Sequence, residues 1–294
     1  ISAAGTLGIL IPPSVLTIVY AVTAQVSIGK MLIAGIVPGL ILAALYIGYI
    51  VLQAWLRPGR FPLDETAVRV SWADKFASLR SLVLPALLIL MVLGSIFFGI
   101  ATPTESAAVG VAGAMLAAAL SRRLDLRMLH GAGIDALKVT SMILWITIGA
   151  KAYVAIFTGL GGADALLDFI RGLQVDRWLV LLAMMAILVF LGTVLDEIGI
   201  ILLTVPVFLP VVRLLGFDEI WFGVLYAITI QMGYISPPFG YTLFYIKGTL
   251  PQHIGMDQVY RGILPFFLLQ AVGLAICAAF PGLVTALPRM MSGH

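Results

Sequence analysis

Two sets of residues in this 294-residue chain have types and spacing that could do chemistry. The first is the acidic pair Asp196-Glu197, in the middle of an otherwise apolar run over 178–212. An ionisable side chain at membrane depth costs at least about 2.5–3.5 kcal/mol, which marks it as a functional group unless it lies in a turn exposed to water. The second is a matched pair of helix breakers, each inside an apolar stretch: Gly8-Ile9-Leu10-Ile11-Pro12-Pro13-Ser14 and Gly233-Tyr234-Ile235-Ser236-Pro237-Pro238-Phe239-Gly240. Proline lacks a backbone donor and so frees the carbonyl one turn earlier. Hydrocarbon cannot satisfy such groups, so an unwound turn at that depth must line a protein or water cavity. A carboxylate, freed carbonyls and the hydroxyls of Thr6, Ser14, Ser236 and Thr242 make an all-oxygen set suited to a hard cation. Half-helix ends at the same cavity could hold an anion.

Each feature also has a plainer account. Asp196-Glu197 could sit in an aqueous turn between two ordinary helices, because each flanking arm is near the minimum spanning length. A single proline kink in a membrane helix would mean little. The lack of a compact polar loop around the acids, and the presence of two similarly built breaks, favour a site. Lys151, in Gly149-Ala150-Lys151-Ala152-Tyr153, is either a counter-ion for an anionic substrate or a lysine whose long stem lifts its ammonium to the interface. Glu105 suits a charge that complements the N-terminus of its own helix.

The elements that must position these residues are membrane spans. The chain is 62% hydrophobic and 11% charged, with a mean hydropathy of +1.12, against roughly 45–50% apolar and 25% charged for a soluble domain. The net charge of +3 fits the excess of Lys and Arg in cytoplasmic loops, and nucleic-acid binding is not expected. The single cysteine, Cys277, excludes a disulfide framework and a cysteine metal site. The pattern predicts a broken span over 7–28, a span over 31–56, and a surface loop or amphipathic helix over 57–80. Beyond these it predicts a span over 82–101, a small-residue helix over 106–120 inside the bundle with Thr104 as its N-cap, and a span over 139–158. The run 178–212 is either a re-entrant hairpin or two crossings, 220–246 is the second broken span, and 263–287 is the last. The basic loops at 57–80 and 122–130 are expected in the cytoplasm and 159–177 on the outer side. No nucleotide-binding G-x-x-x-x-G-K-[ST] loop, H-E-x-x-H pair or G-x-S-x-G elbow occurs, so no enzyme activity is expected. Ile1-Ser2-Ala3-Ala4-Gly5 lacks an initiator Met and a signal-peptide pattern. That predicts a start inside an element, with the remainder elsewhere.

At these residues the chain resembles a known family. Gly5-Thr6-Leu7-Gly8-Ile9-Leu10-Ile11-Pro12-Pro13-Ser14, Gly99-Ile100-Ala101-Thr102-Pro103-Thr104-Glu105, Leu191-Gly192-Thr193-Val194-Leu195-Asp196-Glu197, Ile235-Ser236-Pro237-Pro238-Phe239-Gly240 and Phe280-Pro281-Gly282-Leu283 are similar to motifs of the large membrane subunit (DctM, or M subunit) of tripartite ATP-independent periplasmic (TRAP) transporters.

The resemblance implies an all-α polytopic membrane protein of inverted-repeat, elevator type, with a re-entrant hairpin and broken helices. It implies sodium-coupled import of an organic acid such as a C4-dicarboxylate or a sialic acid, across a bacterial inner membrane. The expected partners are a small membrane subunit of Q type, a periplasmic binding protein of P type, the missing N-terminal portion of the M subunit, and lipid. On this basis 1–28 is the broken helix of the first repeat and 29–138 scaffold and arm helices. Residues 139–256 are the second-repeat helix, hairpin and broken helix, and 257–294 a C-terminal transmembrane helix. The expected substrate and ion site comprises Gly5, Thr6, Gly8, Pro12, Pro13, Ser14, Asp196, Glu197, Gly233, Ser236, Pro237, Pro238 and Gly240, with Asp196, Ser236 and Thr6 as sodium ligands. The rival expectations are an ion-coupled anion carrier of similar hairpin architecture without a binding protein, and a membrane assembly subunit that does not transport.

Overall fold

A computed structural model describes residues 1–57, 71–237, 240–250 and 255–291. Among these residues all regular structure is helical, as the composition predicts. The helices are α1 (Ser2–Thr6), α2 (Val15–Ala24), α3 (Ile28–Ala34), α4 (Ile36–Leu56), α5 (Trp72–Phe97), α6 (Pro103–Leu120), α7 (Leu126–Gly159), α8 (Gly162–Leu173), α9 (Arg177–Gly192), α10 (Glu197–Leu214), α11 (Glu219–Tyr234), α12 (Tyr241–Thr249), α13 (Met256–Ala279) and α14 (Pro281–Met290). Among the described residues, five segments are long and apolar enough to cross a membrane: Ile28–Leu56, Pro103–Leu120, Leu126–Gly159, Glu197–Leu214 and Met256–Ala279. The protein is an all-α, multi-pass membrane protein.

Short polar residues start these helices by accepting the orphan backbone donors of the first turn. Ser14 accepts from Thr17 N, Ser27 from Lys30 N, Asp176 from Trp178 N, Asp196 from Gly199 N and Asp218 from Trp221 N. The cap of α6 is Thr102, not Thr104. Its hydroxyl accepts from Glu105 N while Glu105 Oε2 accepts from Thr102 N at 2.7 Å, a reciprocal pair that Pro103 at the first helical position leaves intact.

The residues divide into two compact units, Ile1–Leu45 with Lys138–His294, and Tyr46–Leu137. In the second unit α5 and α6 form a pair. Gly113 lies under Leu88, Gly110 lies under Val92, and the Ser95 and Ser106 hydroxyls meet at 2.8 Å. The small residues of α6 thus serve one close helix contact, and most of the rest of the helix is exposed within its unit. α5 begins at Trp72 and runs into the span, so the expected surface loop or amphipathic helix is helical from Trp72 onward; Arg60, Asp64, Glu65 and Arg69 of that segment lie outside the described residues.

The first unit is built around α11, which is buried on every side from Trp221 to Tyr234. α9 runs parallel to it. Trp178 meets Trp221 edge to face, the Thr229 hydroxyl lies 3.0 Å from Met185 Sδ, and Gly192 abuts Gly233. α10 returns antiparallel, with Thr204 against the Tyr226 hydroxyl and Arg213 paired with Glu219. α2 lies across the same face, where the Tyr20 hydroxyl donates to Glu219 O at 2.8 Å. The span expected over 263–287 is two helices, because Pro281 cannot donate to the Cys277 carbonyl four residues earlier. Trp221 Nε1 donates to that carbonyl instead, at 2.9 Å. The segment expected as an outer loop, 159–177, contains α8, whose apolar face of Leu166, Leu167 and Ile170 packs on the core.

Candidate functional site

The parallel register of α9 and α11 sets the level of the acidic pair. Both helices start at the Trp178–Trp221 contact and finish at the Gly192–Gly233 contact. A Cβ on Gly233 would stand 2.7 Å from Gly192 Cα, so glycine is required for this approach. The chain then turns through 193–196 before α10, and Asp196-Glu197 forms the tip of a helical hairpin beside the end of α11.

At this level lies a cleft of about 400 Å³ lined by Gly5, Thr6, Ile9, Met142, Asp196, Glu197, Ile198, Tyr234, Thr242 and Tyr245. It joins four segments far apart in sequence: the start of the first break, Met142 of α7, the hairpin tip and the flanks of the second break. Asp196 and Glu197 are both partly exposed. Asp196 Oδ1 accepts from Gly199 N at 3.0 Å, so one carboxylate oxygen caps α10. Thr6 is buried; its hydroxyl donates to Ala3 O at 2.9 Å and accepts from Gln270 Nε2 at 3.2 Å.

Of the three expected sodium ligands, Asp196 and Thr6 line this cleft and Ser236 does not; the Ser236 hydroxyl donates to Pro237 O at 3.3 Å. Gly5 and Glu197 also line it. Gly8, Pro12 and Pro13 form the break itself, with Gly8 and Pro13 exposed and Pro12 buried. Gly233 serves the contact between α9 and α11. Gly240 adopts φ +49° at the start of α12, a left-handed conformation that glycine reaches without a Cβ penalty. Pro237 is exposed, and Pro238 lies outside the described residues. Lys151 is exposed on α7 and does not line the cleft.

The hydroxyls beside the breaks have partners of their own. Ser14 Oγ donates to Ile9 O, four residues before Pro13, and Thr242 Oγ1 donates to Tyr234 O at 2.9 Å, four residues before Pro238. Each break thus supplies a hydroxyl to the carbonyl that its second proline cannot serve. A carbonyl oxygen has two lone pairs, so Ile9 O keeps further acceptor capacity. Among the described residues no three or more His, Cys, Asp or Glu side chains are grouped to hold a metal ion. The side chains around the cleft carry two carboxylates and four hydroxyls, those of Thr6, Tyr234, Thr242 and Tyr245, an oxygen set that fits a hard cation.

Sequence reasoning missed Gln270 and Gln231. Both are fully buried, and among the described residues neither Gln231 amide atom nor Gln270 Oε1 has a hydrogen-bond partner. The available signal was an uncharged amide inside an apolar span, weaker than a charge.

Residues 1–283 match the family model described as "Tripartite ATP-independent periplasmic transporter, DctM component". The chain belongs to the DctM family. A C4-dicarboxylate TRAP transporter large permease protein, DctM, of Pseudomonas aeruginosa is 32% identical over 98% of the chain and 66% of its own length. An isethionate TRAP transporter permease protein, DctMQ, of Oleidesulfovibrio alaskensis is 30% identical over 100% of the chain and 45% of its own length. A sialic acid TRAP transporter large permease protein, SiaM, of Vibrio cholerae is 28% identical over 100% of the chain and 67% of its own length. The chain therefore spans about two thirds of the length of such DctM relatives and under half of the DctMQ protein. These relatives are named as transporter permeases, and the family is not enzymatic.

Proposed function

We propose that this DctM-family chain forms the ion-coupled part of a sodium-driven importer of an organic acid in a bacterial inner membrane. The observation that carries the reading is the cleft where Thr6, Asp196, Glu197, Tyr234 and Thr242 converge from the first break, the hairpin tip and the second break. Unwound backbone and an acid at one point inside a membrane protein suit coordination of a cation. Family membership supports the rest of the assignment: a periplasmic binding protein that delivers substrate, and a small membrane subunit. The names of the relatives, which include C4-dicarboxylate, isethionate and sialic acid, point to a small organic anion as cargo.

The shorter arm of the hairpin supports a re-entrant reading, while the other arm, α10, is itself long and apolar enough to cross. α9, with 16 residues, rises about 24 Å, short of a hydrocarbon core of about 30 Å. Its tip is level with the break after α11, and the nine residues of α12 carry the chain roughly 13 Å further. On this reading the hairpin ends inside the membrane and 220–246 crosses it. The 1–28 segment and 139–256 then act together as a transport domain of two inverted halves, with 29–138 as scaffold and arm. In such an elevator the domain carries cation and anion together past the scaffold.

The test is uptake of a radiolabelled C4-dicarboxylate, sialic acid or sulfonate into proteoliposomes holding the permease and its small subunit, with the binding protein outside. Uptake is expected under an inward sodium gradient and not under an equal potassium gradient, and only with the binding protein. Uptake without sodium overturns the coupling. Uptake without the binding protein points to the simpler carrier.

A further inference from the structure

Thr6 has one hydrogen and two lone pairs on its hydroxyl. The hydrogen goes to Ala3 O at 2.9 Å, and one lone pair receives Gln270 Nε2 at 3.2 Å. The single capacity left to the hydroxyl is that of an acceptor, and Thr6 lines the cleft with Asp196 and Glu197, which are acceptors too when ionised. A cation needs such a set; the carboxylate of a substrate needs donors. Ala3 O and Gln270 Nε2 together hold the hydroxyl in one orientation, with one lone pair left over.

Gln270 is presented from a well-anchored helix. α13 is held by the Trp221 Nε1 bond to Cys277 O and by the close approach of Gly273 to Leu42. Gln270 is fully buried, and among the described residues its Oε1 has no donor. Leaving a buried acceptor unpaired is unfavourable, and the adjacent Leu268 and Leu269 are what a purely apolar packing position would carry. We propose that Gln270 is a positioning residue for the cation site. Through its amide N–H it locks the Thr6 hydroxyl with its hydrogen turned to Ala3 and a lone pair free for the ion. The last long helix is thereby linked to the first break, 264 residues away. This inference rests on the sodium reading of the cleft.

The experiment is sodium-dependent thermal stabilisation of the purified permease, followed by fluorescence with choline replacing sodium at constant ionic strength. Gln270→Met keeps the side chain's length and removes the donor. It should raise the sodium concentration for half-maximal stabilisation by roughly two- to tenfold, the worth of one neutral hydrogen bond. Thr6→Val should do the same, Thr6→Ser should stay near the parent, and the Gln270→Met/Thr6→Val double variant should be no weaker than Thr6→Val alone. A packing role would lower the melting temperature in choline and leave the sodium half-point alone. If Gln270→Met does not fold, Gln270→Asn, which withdraws the amide yet stays polar, must show the same rise. The inference is overturned if Thr6→Val raises the half-point while the Gln270 variants do not, or if the two effects multiply. If Thr6→Val and Asp196→Asn both leave it unchanged, the sodium reading falls and takes this inference with it.

Discussion

Replacing Gly233 with alanine tests whether the hairpin is locked to the helix that leads into the second break. A Cβ at this position would meet Gly192 Cα at 2.7 Å, and both Gly192 C and Val189 O at 2.9 Å, all backbone atoms that no side-chain rotation can move. Ordinary contact starts at 3.4 Å, so α9 and α11 would have to part by about 0.7 Å along their tightest line. Overpacking of this kind costs about 1–3 kcal/mol, and alanine returns up to about 1 kcal/mol in helix propensity. Three backbone contacts under 3.0 Å place the cost in the upper part of that range, about 2–3 kcal/mol, and the net loss of about 1–2 kcal/mol corresponds to a fall of roughly 2–8 °C in melting temperature. Gly192→Ala should cost less, because its nearest contact is 3.1 Å. Gly149→Ala on α7, with nothing within 4 Å of the added carbon, should be neutral or stabilising. The assay is thermal unfolding by intrinsic tryptophan fluorescence, since Trp178 and Trp221 sit on the two helices in question. If Gly233→Ala melts with the parent, the two helices do not approach as described and the level assigned to the acidic tip is wrong.

Further expectations concern the supports of the site. Thr102→Ala should lose about 1 kcal/mol of stability by breaking the reciprocal cap of α6, whereas Glu105→Gln, which can still accept from Thr102 N, should lose less; neither should change the sodium half-point of uptake. Trp221→Phe leaves Cys277 O without its donor and should cost about 1–3 kcal/mol in thermal unfolding; a variant as stable as the parent would mean that Pro281 is accommodated in another way. Arg213→Gln opens an ion pair to Glu219 whose members are 55% and 26% exposed, and should change stability by less than about 1 kcal/mol.

Much of the fold was legible because hydrocarbon imposes strong rules. The apolar runs gave the spans, and the two Gly…Pro-Pro interruptions marked where helices stop near 7–14 and 235–240. The acids at 196–197 marked the turn between α9 and α10. Arm length leaves two crossings and a hairpin both open; what no local pattern reports is that Trp178 on Trp221 and Gly192 on Gly233 set the tip level with the break. Thr104 fits the residue type of an N-cap. A capping box, however, spans three residues, and Thr102 with Pro103 behind it meets that spacing. Ser14 and Ser236 were read as ligands from proximity to proline, yet neither lines the cleft; Ser14 is engaged in serving Ile9 O and capping α2. Gln270 escaped notice because its role depends on a partner 264 residues away.

The most direct test of Asp196 as the proposed cation ligand is the sodium concentration for half-maximal uptake by Asp196→Asn. Asparagine caps helices as well as aspartate does, so the bond from Gly199 N and the start of α10 should persist. What is lost is a full charge in an oxygen cage, on the order of 2 kcal/mol and thus more than tenfold in sodium affinity. The account predicts that rise, with the melting temperature in choline unchanged. Uptake with the parent's sodium dependence in Asp196→Asn, and its loss in Glu105→Gln, would contradict it and move the ion to the Thr102–Glu105 turn.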